Sequence, residues 1–145
     1  MGLMQLMPAT ARFIASGEDR FSSRRELTDP ELNLSLGQKY IEHLLDDPTI
    51  GSNLFYVTTA YNAGPGNLRK WQKQVDYRDD PLLFIESIPS RETRHFVERV
   101  LTNLWIYRLR LGQPTPSLDA VAAGTWPRYN SLDTRSQKVV SSRAD

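Results

Sequence analysis

Three short clusters of polar side chains stand next to chain-breaking residues, and these are the places where this sequence could do chemistry. The clusters are Gln5 before Pro8, Tyr61-Asn62 before Gly64-Pro65-Gly66, and residues 86–94 around Pro89. Proline and glycine stop or turn the backbone, so the neighbouring amide, phenol and carboxylate groups project from fixed positions. Such groups hydrogen-bond a neutral polar ligand, while aromatic faces cover sugar rings. A polysaccharide fits this combination of side chains.

Each cluster taken alone also has a purely structural interpretation. Tyr61-Asn62 is compatible with an ordinary helix C-terminus whose Asn is satisfied locally. Glu92 suits the first turn of a helix, where a carboxylate is favoured by the helix dipole, with Arg91 and Arg94 in solvent. Three such clusters in one small domain favour the alternative, which is a single groove lined by all of them.

Composition excludes several other classes of function. Lys and Arg total 18 against 17 for Asp and Glu, so the net charge of +1 gives no reason to expect a nucleic-acid partner. The chain has no cysteine, and His43 and His95 are too far apart in sequence to form a metal-ligand motif. No phosphate-binding loop, nucleophile elbow or bilayer-length apolar run is present. We therefore expect no cofactor, no metal and no membrane span.

The elements that must position these clusters are helices, and the sequence predicts an all-α fold. Apolar residues recur at three- and four-residue steps, and we find no convincing strand alternation. The expected helix starts are Pro8, Asn33 or Ser35, Ser52, Asn67, Asp80 and Ser90. The stretch from Ser90 to Leu111 has the longest apolar stripe, which predicts that it is the most buried helix. We assign residues 1–112 to one helical domain. Residues 113–145 are expected to be an extension that docks through Trp126 and Tyr129 and is disordered past Ser131.

The three clusters lie within longer stretches that resemble signature blocks of the soluble lytic murein transglycosylases. The blocks are Gly2-Leu3-Met4-Gln5-Leu6-Met7-Pro8-Ala9-Thr10-Ala11, Ala60-Tyr61-Asn62-Ala63-Gly64-Pro65-Gly66, and Ile88-Pro89 followed by Glu92-Thr93-Arg94. They occur in the family's order, and the similarity covers residues 2–111. The resemblance implies a goose-type-lysozyme-like helical domain, of which this chain is the C-terminal majority. Members of the family cleave the β-1,4 bond between N-acetylmuramic acid and N-acetylglucosamine without water, leaving a 1,6-anhydro sugar.

The resemblance also implies roles for individual residues. Those expected to contact the glycan are Gln5, Met7, Thr10, Tyr61, Asn62 and Glu92, with Glu86 as a structural carboxylate. Tyr61 is expected to hydrogen-bond and orient the catalytic carboxyl, and Asn62 to brace the turn. Phe96 occupies a position where many relatives have a tyrosine, which puts one polar contact in question.

The family's catalytic glutamate lies in a Glu-Ser motif that precedes the Gly-Leu-Met-Gln block. That spacing places the glutamate ahead of Met1, so no residue of this chain is expected to be the general acid. We expect little or no lytic activity from these 145 residues, since one carboxyl serves as both acid and base in this reaction.

Two functional interpretations stay open at this point, beside a plain helical interaction domain with accidental matches. One is a lytic transglycosylase domain without its acid, and the other is a non-catalytic module that binds murein. In both, the partner is the glycan strand of peptidoglycan. The expected location is the bacterial periplasm or cell envelope, with the export signal outside this chain.

Overall fold

The computed structural model describes residues 2–15 and 21–130, and the tail expected to be disordered past Ser131 lies outside them. In chain order the α-helices are α1 (Pro8–Ile14), α2 (Pro30–Asp46), α3 (Leu54–Ala63), α4 (Pro65–Gln74), α5 (Pro81–Ser87), α6 (Arg91–Arg110) and α7 (Pro116–Ala122). A 3₁₀ turn spans Glu26–Thr28. The predicted all-α fold is confirmed. Within the described residues, no helix has the length and apolar composition needed to cross a bilayer.

Most helix starts follow simple local rules. Helices α1, α2, α4, α5 and α7 each have proline in the first turn. Proline suits that position because the N–H it lacks would have no partner there. The predicted cap Asp80 accepts hydrogen bonds from the backbone N–H groups of Leu82 and Leu83. The predicted cap Ser90 accepts one from Thr93 N–H.

Two predicted caps were wrong by a few residues. Helix α2 starts at Pro30 with Asp29 as its cap, so Asn33 and Ser35 lie inside the helix. Helix α3 is capped by Asn53 rather than Ser52, and the Asn53 Oδ1 atom accepts from two backbone N–H groups. In each case a nearby Asp or Asn had the same capping chemistry as the residue chosen.

The chain divides into two compact units, Met1–Gly51 and Ser52–Asp145. In the first unit, α2 packs against α1 and the 3₁₀ turn. Asn33 is fully buried and joins the chain before α1 to this packing. Its Oδ1 atom accepts from Met4 N–H at 2.7 Å, and its Nδ2 atom donates to the carbonyl of Leu27 at 3.0 Å. The backbone of Gly2 lies close to the Asn33 side chain, because a Cβ atom on Gly2 would lie 2.5 Å from Asn33 Cγ.

In the second unit, α3 packs against both α4 and α6 and is the most buried helix. The prediction that the helix from Ser90 to Leu111 is most buried was wrong. Only Thr93, Val97 and Leu101 of α6 are buried. The apolar residues after Trp105 are exposed, and these are Ile106, Tyr107 and Leu109 in the helix and Leu111 just past its end. Periodicity identifies the apolar face of a helix, but it does not reveal how far along the helix other elements extend.

The segment after α7 runs along the start of α3. The backbone N–H of Leu54 donates to the carbonyl of Pro127 at 2.9 Å, and the N–H of Tyr129 donates to the carbonyl of Ser52 at 2.7 Å. Trp126 contacts an aromatic cluster formed by Phe55, Tyr56, Tyr77 and Phe84. Trp126 therefore packs on the helices, whereas the division into residues 1–112 and 113–145 stays a prediction.

Candidate functional site

The turn at Gly64 places Tyr61 and Asn62 at the end of α3. Gly64 has φ 87°, a backbone conformation that favours glycine. It is the C-cap residue of α3 and the N-cap residue of α4. A Cβ atom on Gly64 would meet no atom within 4 Å, so the need for glycine is conformational rather than steric. The Nδ2 atom of Asn67 donates to the terminal carbonyl of Ala63 at 2.8 Å, which satisfies the helix end.

Tyr61 is half-buried and stacks on Phe96 of α6. The two ring centroids are 6.3 Å apart and the ring planes differ by 3°. Asn62 follows Tyr61 and is exposed. From the sequence, Phe96 differs from the tyrosine found in many relatives, and no local pattern predicts its ring contact with Tyr61. The ring contact connects the end of α3 to the first half of α6.

The corner between α5 and α6 is held by three local interactions. Ile88 is buried. The Ser90 Oγ atom accepts hydrogen bonds from the N–H and the hydroxyl of Thr93. The Nη1 atom of Arg94 donates to the carbonyl of Glu86 at 2.6 Å. Arg94 therefore closes the corner, and the observed contribution of Glu86 comes from its backbone carbonyl while its side chain is exposed.

Glu92 lies in the first turn of α6 and is exposed. A carboxylate in this position is favoured by the partial positive charge of the helix N-terminus. Glu92 precedes Phe96 by four residues, so the two side chains share one face of α6. Because Phe96 stacks on Tyr61, Glu92 lies on the face of α6 that carries this ring contact.

The first unit carries three residues that are expected to contact the glycan, and each has different surroundings. Gln5 has φ 52°, and both its backbone N–H and its Nε2 atom donate to the carbonyl of Gly2. Met7 precedes α1 and is 68% exposed, and Thr10 is half-buried within α1. Since Gln5 and Tyr61 belong to different units, a groove shared by them stays a prediction.

The role of Asn33 was missed by sequence reasoning, although a signal for it exists. Position 33 lies three residues before Leu36 and seven before Tyr40, which places it on the buried stripe of α2. A polar side chain at a buried position needs hydrogen-bond partners. Met4 and Leu27 supply them, and this arrangement fixes the backbone just before Gln5.

An exposed row of side chains runs along the outer side of α6. Arg91 Nε donates to His95 Nε2 at 3.3 Å, and His95 Nδ1 lies 3.2 Å from Glu98 Oε2. Solvent weakens interactions between such exposed groups. In the part of the chain that the structure describes, no group of three or more His, Cys, Asp or Glu could hold a metal ion. Both histidines are exposed, and His43 contacts the rings of Phe13 and Tyr40.

Comparisons with known proteins identify the family to which this chain belongs. The family model described as Transglycosylase SLT domain matches residues 1–84. The soluble lytic murein transglycosylase of Escherichia coli strain K12 is 37% identical over 125 residues, which is 85% of this chain and 19% of that protein. This chain therefore spans about a fifth of the length of that relative.

Two solved structures share the fold. The 70-kDa soluble lytic transglycosylase SLT70 from Escherichia coli has a TM-score of 0.71 and 38% identity, covering 89% of this chain and 20% of that chain. The lytic transglycosylase Slt from Pseudomonas aeruginosa, an inactive glutamate-to-glutamine mutant, has a TM-score of 0.67 and 36% identity, covering 79% and 18%. The chain belongs to the transglycosylase SLT domain family and has its lysozyme-like helical fold.

Proposed function

We propose that this chain binds the glycan strand of peptidoglycan and forms the substrate-binding part of a lytic transglycosylase. The reaction is cleavage of the β-1,4 bond between N-acetylmuramic acid and N-acetylglucosamine, with a 1,6-anhydro product. The observation that carries the proposal is the placement of Tyr61 on a glycine-ended helix, stacked on Phe96 one turn after Glu92. Family membership supplies the class of substrate.

The proposed contacts in the second unit suit a neutral, hydroxyl-rich ligand. The Glu92 carboxylate accepts hydrogen bonds from sugar hydroxyls, and the Asn62 amide can both donate and accept. Both side chains are exposed, so a ligand reaches them without rearrangement of the core. Each such bond contributes only about 0.5–1.5 kcal/mol net. After the entropy of association is subtracted, we expect a dissociation constant on the order of micromolar to millimolar.

Cleavage needs a general acid, and neither Glu86 nor Glu92 suits this role. Both carboxylates are exposed, whereas the general acid of a glycosidase is usually shielded from water. We propose that the family's glutamate protonates the glycosidic oxygen as the bond between that oxygen and C1 of N-acetylmuramic acid breaks. The same carboxylate then removes the proton of the C6 hydroxyl, whose oxygen attacks C1 of the same sugar. Tyr61 would orient that carboxyl.

In the first unit, we propose that Gln5, Met7 and Thr10 also contact the glycan. Exposed Met7 offers an apolar surface for a sugar ring, and the fixed backbone of Gln5 determines where its amide lies. A protein that binds peptidoglycan works in the bacterial cell envelope, and we infer that location, with the periplasm as its compartment.

The experiment measures binding and cleavage separately on the 145-residue chain. Calorimetric titration with a soluble murein glycan oligomer should show binding. The Glu92→Gln substitution should weaken binding about 2- to 10-fold, because the charge is lost while the amide oxygen still accepts a hydrogen bond. The matched control is Glu98→Gln, also exposed on α6 but in contact with His95, and it should bind as wild type.

In the second arm, the wild-type chain is incubated with purified peptidoglycan and soluble anhydro-muropeptides are counted. We expect binding with little or no release. Absence of binding at millimolar oligomer would contradict the proposed function. Rapid release would support binding but overturn the assignment of the acid, and Glu86 and Glu92 would then be the carboxylates to replace.

A further inference from the structure

We propose that Phe96 is a positioning residue of the glycan site, and that its flat ring fixes the Tyr61 phenol relative to the Glu92 carboxylate. The inference rests on the proposed function, because it concerns the same site. Phe96 has no polar group that could hydrogen-bond a sugar, and its observed ring contact is with Tyr61, so the proposed contribution acts through Tyr61.

The ring contact has the geometry of an offset stack. Its centroid distance of 6.3 Å lies within the range of attractive aromatic pairs, and the planes are parallel within 3°. A parallel stack restricts the plane of both rings, whereas contact with an aliphatic side chain leaves a ring free to tilt. Both residues are half-buried, so water does not fill the space around either ring completely.

Separate features of α3 and α6 position the two stacked rings. On the α3 side, the chain ends the helix at Gly64 directly after the turn that bears Tyr61. On the α6 side, Thr93 and Val97 are buried and Arg94 is bonded to the carbonyl of Glu86. These contacts hold the part of α6 that carries Phe96 against its neighbours.

Glu92 lies one turn before Phe96 on α6. Because both residues belong to one helix, their backbone positions keep a constant relation to one another. Tyr61 lies on a different helix, α3, and its ring could otherwise take other orientations relative to Glu92. The stack removes that freedom, which lowers the cost of ordering the site when a glycan binds.

The proposed positioning role needs an aromatic ring at position 96, whereas a polar contact at that position would need a hydroxyl group. Phe96→Tyr keeps the ring and should leave glycan affinity within about twofold of wild type. Phe96→Leu and Phe96→Met keep apolar volume without the ring, and each should weaken glycan binding about 3- to 10-fold. Two ring-less variants are used so that a folding defect in one does not decide the result.

The test combines that titration with nuclear magnetic resonance of ring-labelled tyrosine, with Tyr61→Phe used to assign the Tyr61 signals. The ring-less variants should change the chemical shifts of the Tyr61 ring, because the ring-current effect of Phe96 is lost. Phe96→Tyr should leave those shifts near their wild-type values. Tyr107→Leu is the control, since Tyr107 lies on α6 but is 62% exposed. It should change neither glycan affinity nor the Tyr61 signals.

The outcomes separate the two proposals. If wild type binds glycan and the folded ring-less variants bind equally well, the positioning role is overturned and the proposed function stands. Unmoved Tyr61 resonances in those variants would overturn the stack itself. If wild type binds no glycan, the proposed function fails and this inference fails with it, whatever the Tyr61 signals show.

Discussion

The indole Nε1 atom of Trp126 donates a hydrogen bond to Oδ1 of Asp79 at 2.8 Å, across 47 residues of sequence. Asp79 and its neighbour Arg78 both have positive φ, at 57° and 49°, which is uncommon for residues other than glycine. The bond therefore joins the segment after α7 to an unusual turn before α5. This hydrogen bond lies within the second unit, which also contains Tyr61.

We predict that Trp126→Ala lowers the free energy of unfolding by about 3 kcal/mol, because it removes a ring in contact with four others and the hydrogen bond to Asp79. Urea unfolding followed by circular dichroism measures the change. Tyr129→Ala is the control, since its side chain is 43% exposed and its observed hydrogen bond uses the backbone. A loss below about 1 kcal/mol for Trp126→Ala would show that the segment after α7 does not support the domain.

We predict that Thr59→Val stabilises the protein by about 1 kcal/mol. Thr59 is fully buried, and its Oγ1 atom has no hydrogen-bond partner in the described part of the chain. Valine has nearly the same shape without the buried hydroxyl, so the cost of leaving that group unpaired disappears. Thr58→Val is a matched control, because the Thr58 hydroxyl donates to the carbonyl of Leu54 at 2.7 Å. Equal effects of the two substitutions on the unfolding midpoint would contradict this explanation.

We predict that Asn33→Ala destabilises the first unit by about 2–3 kcal/mol, because it leaves Met4 N–H and Leu27 C=O without their partner. Thermal unfolding gives the magnitude, and amide exchange at Met4 should accelerate. Gln38→Ala changes an exposed residue of the same helix and should have little effect. Slow exchange at Met4 in Asn33→Ala would mean that another group holds this backbone.

The pKa of Glu26 is lowered below its ordinary value of 4.5, first by the backbone N–H of Ser22 and then by the hydroxyl of Ser23. The fold therefore favours the charged carboxylate, and its contribution to stability is present above the unfolded-state pKa. That contribution is lost as the pH falls through the lower folded-state pKa. We predict that Glu26→Gln lowers the melting temperature at neutral pH, and that the difference from wild type shrinks on acidification. A difference that grows toward low pH would contradict the sign of the shift.

Local rules predicted much of this fold from the sequence. The Gly64 turn depends on one backbone conformation, and the caps at Asp80 and Ser90 depend on residues within three positions. Such features need no knowledge of the rest of the chain. The same rules failed where neighbours offered the same chemistry, as when Asn53 took the place of Ser52 as the cap of α3.

Packing between distant segments was harder to predict. The apolar stripe of α6 was real, but its end at Leu111 is 69% exposed. The stacking of Phe96 on Tyr61 joins residues 35 positions apart, and no local pattern specifies it. The family resemblance identified Tyr61 and Glu92 as glycan-contact residues, which stays a prediction, and it offered no role for the ring between them.

The central claim is that Tyr61, Asn62 and Glu92 together bind murein glycan. The most direct measurement is a two-dimensional amide spectrum of the ¹⁵N-labelled 145-residue chain during titration with a murein glycan oligomer. We predict progressive, saturable shifts at Asn62, Glu92 and residues next to Tyr61, with His95 and Glu98 on the outer row of α6 unchanged. Shifts confined to that outer row, or none at millimolar oligomer, would contradict the account.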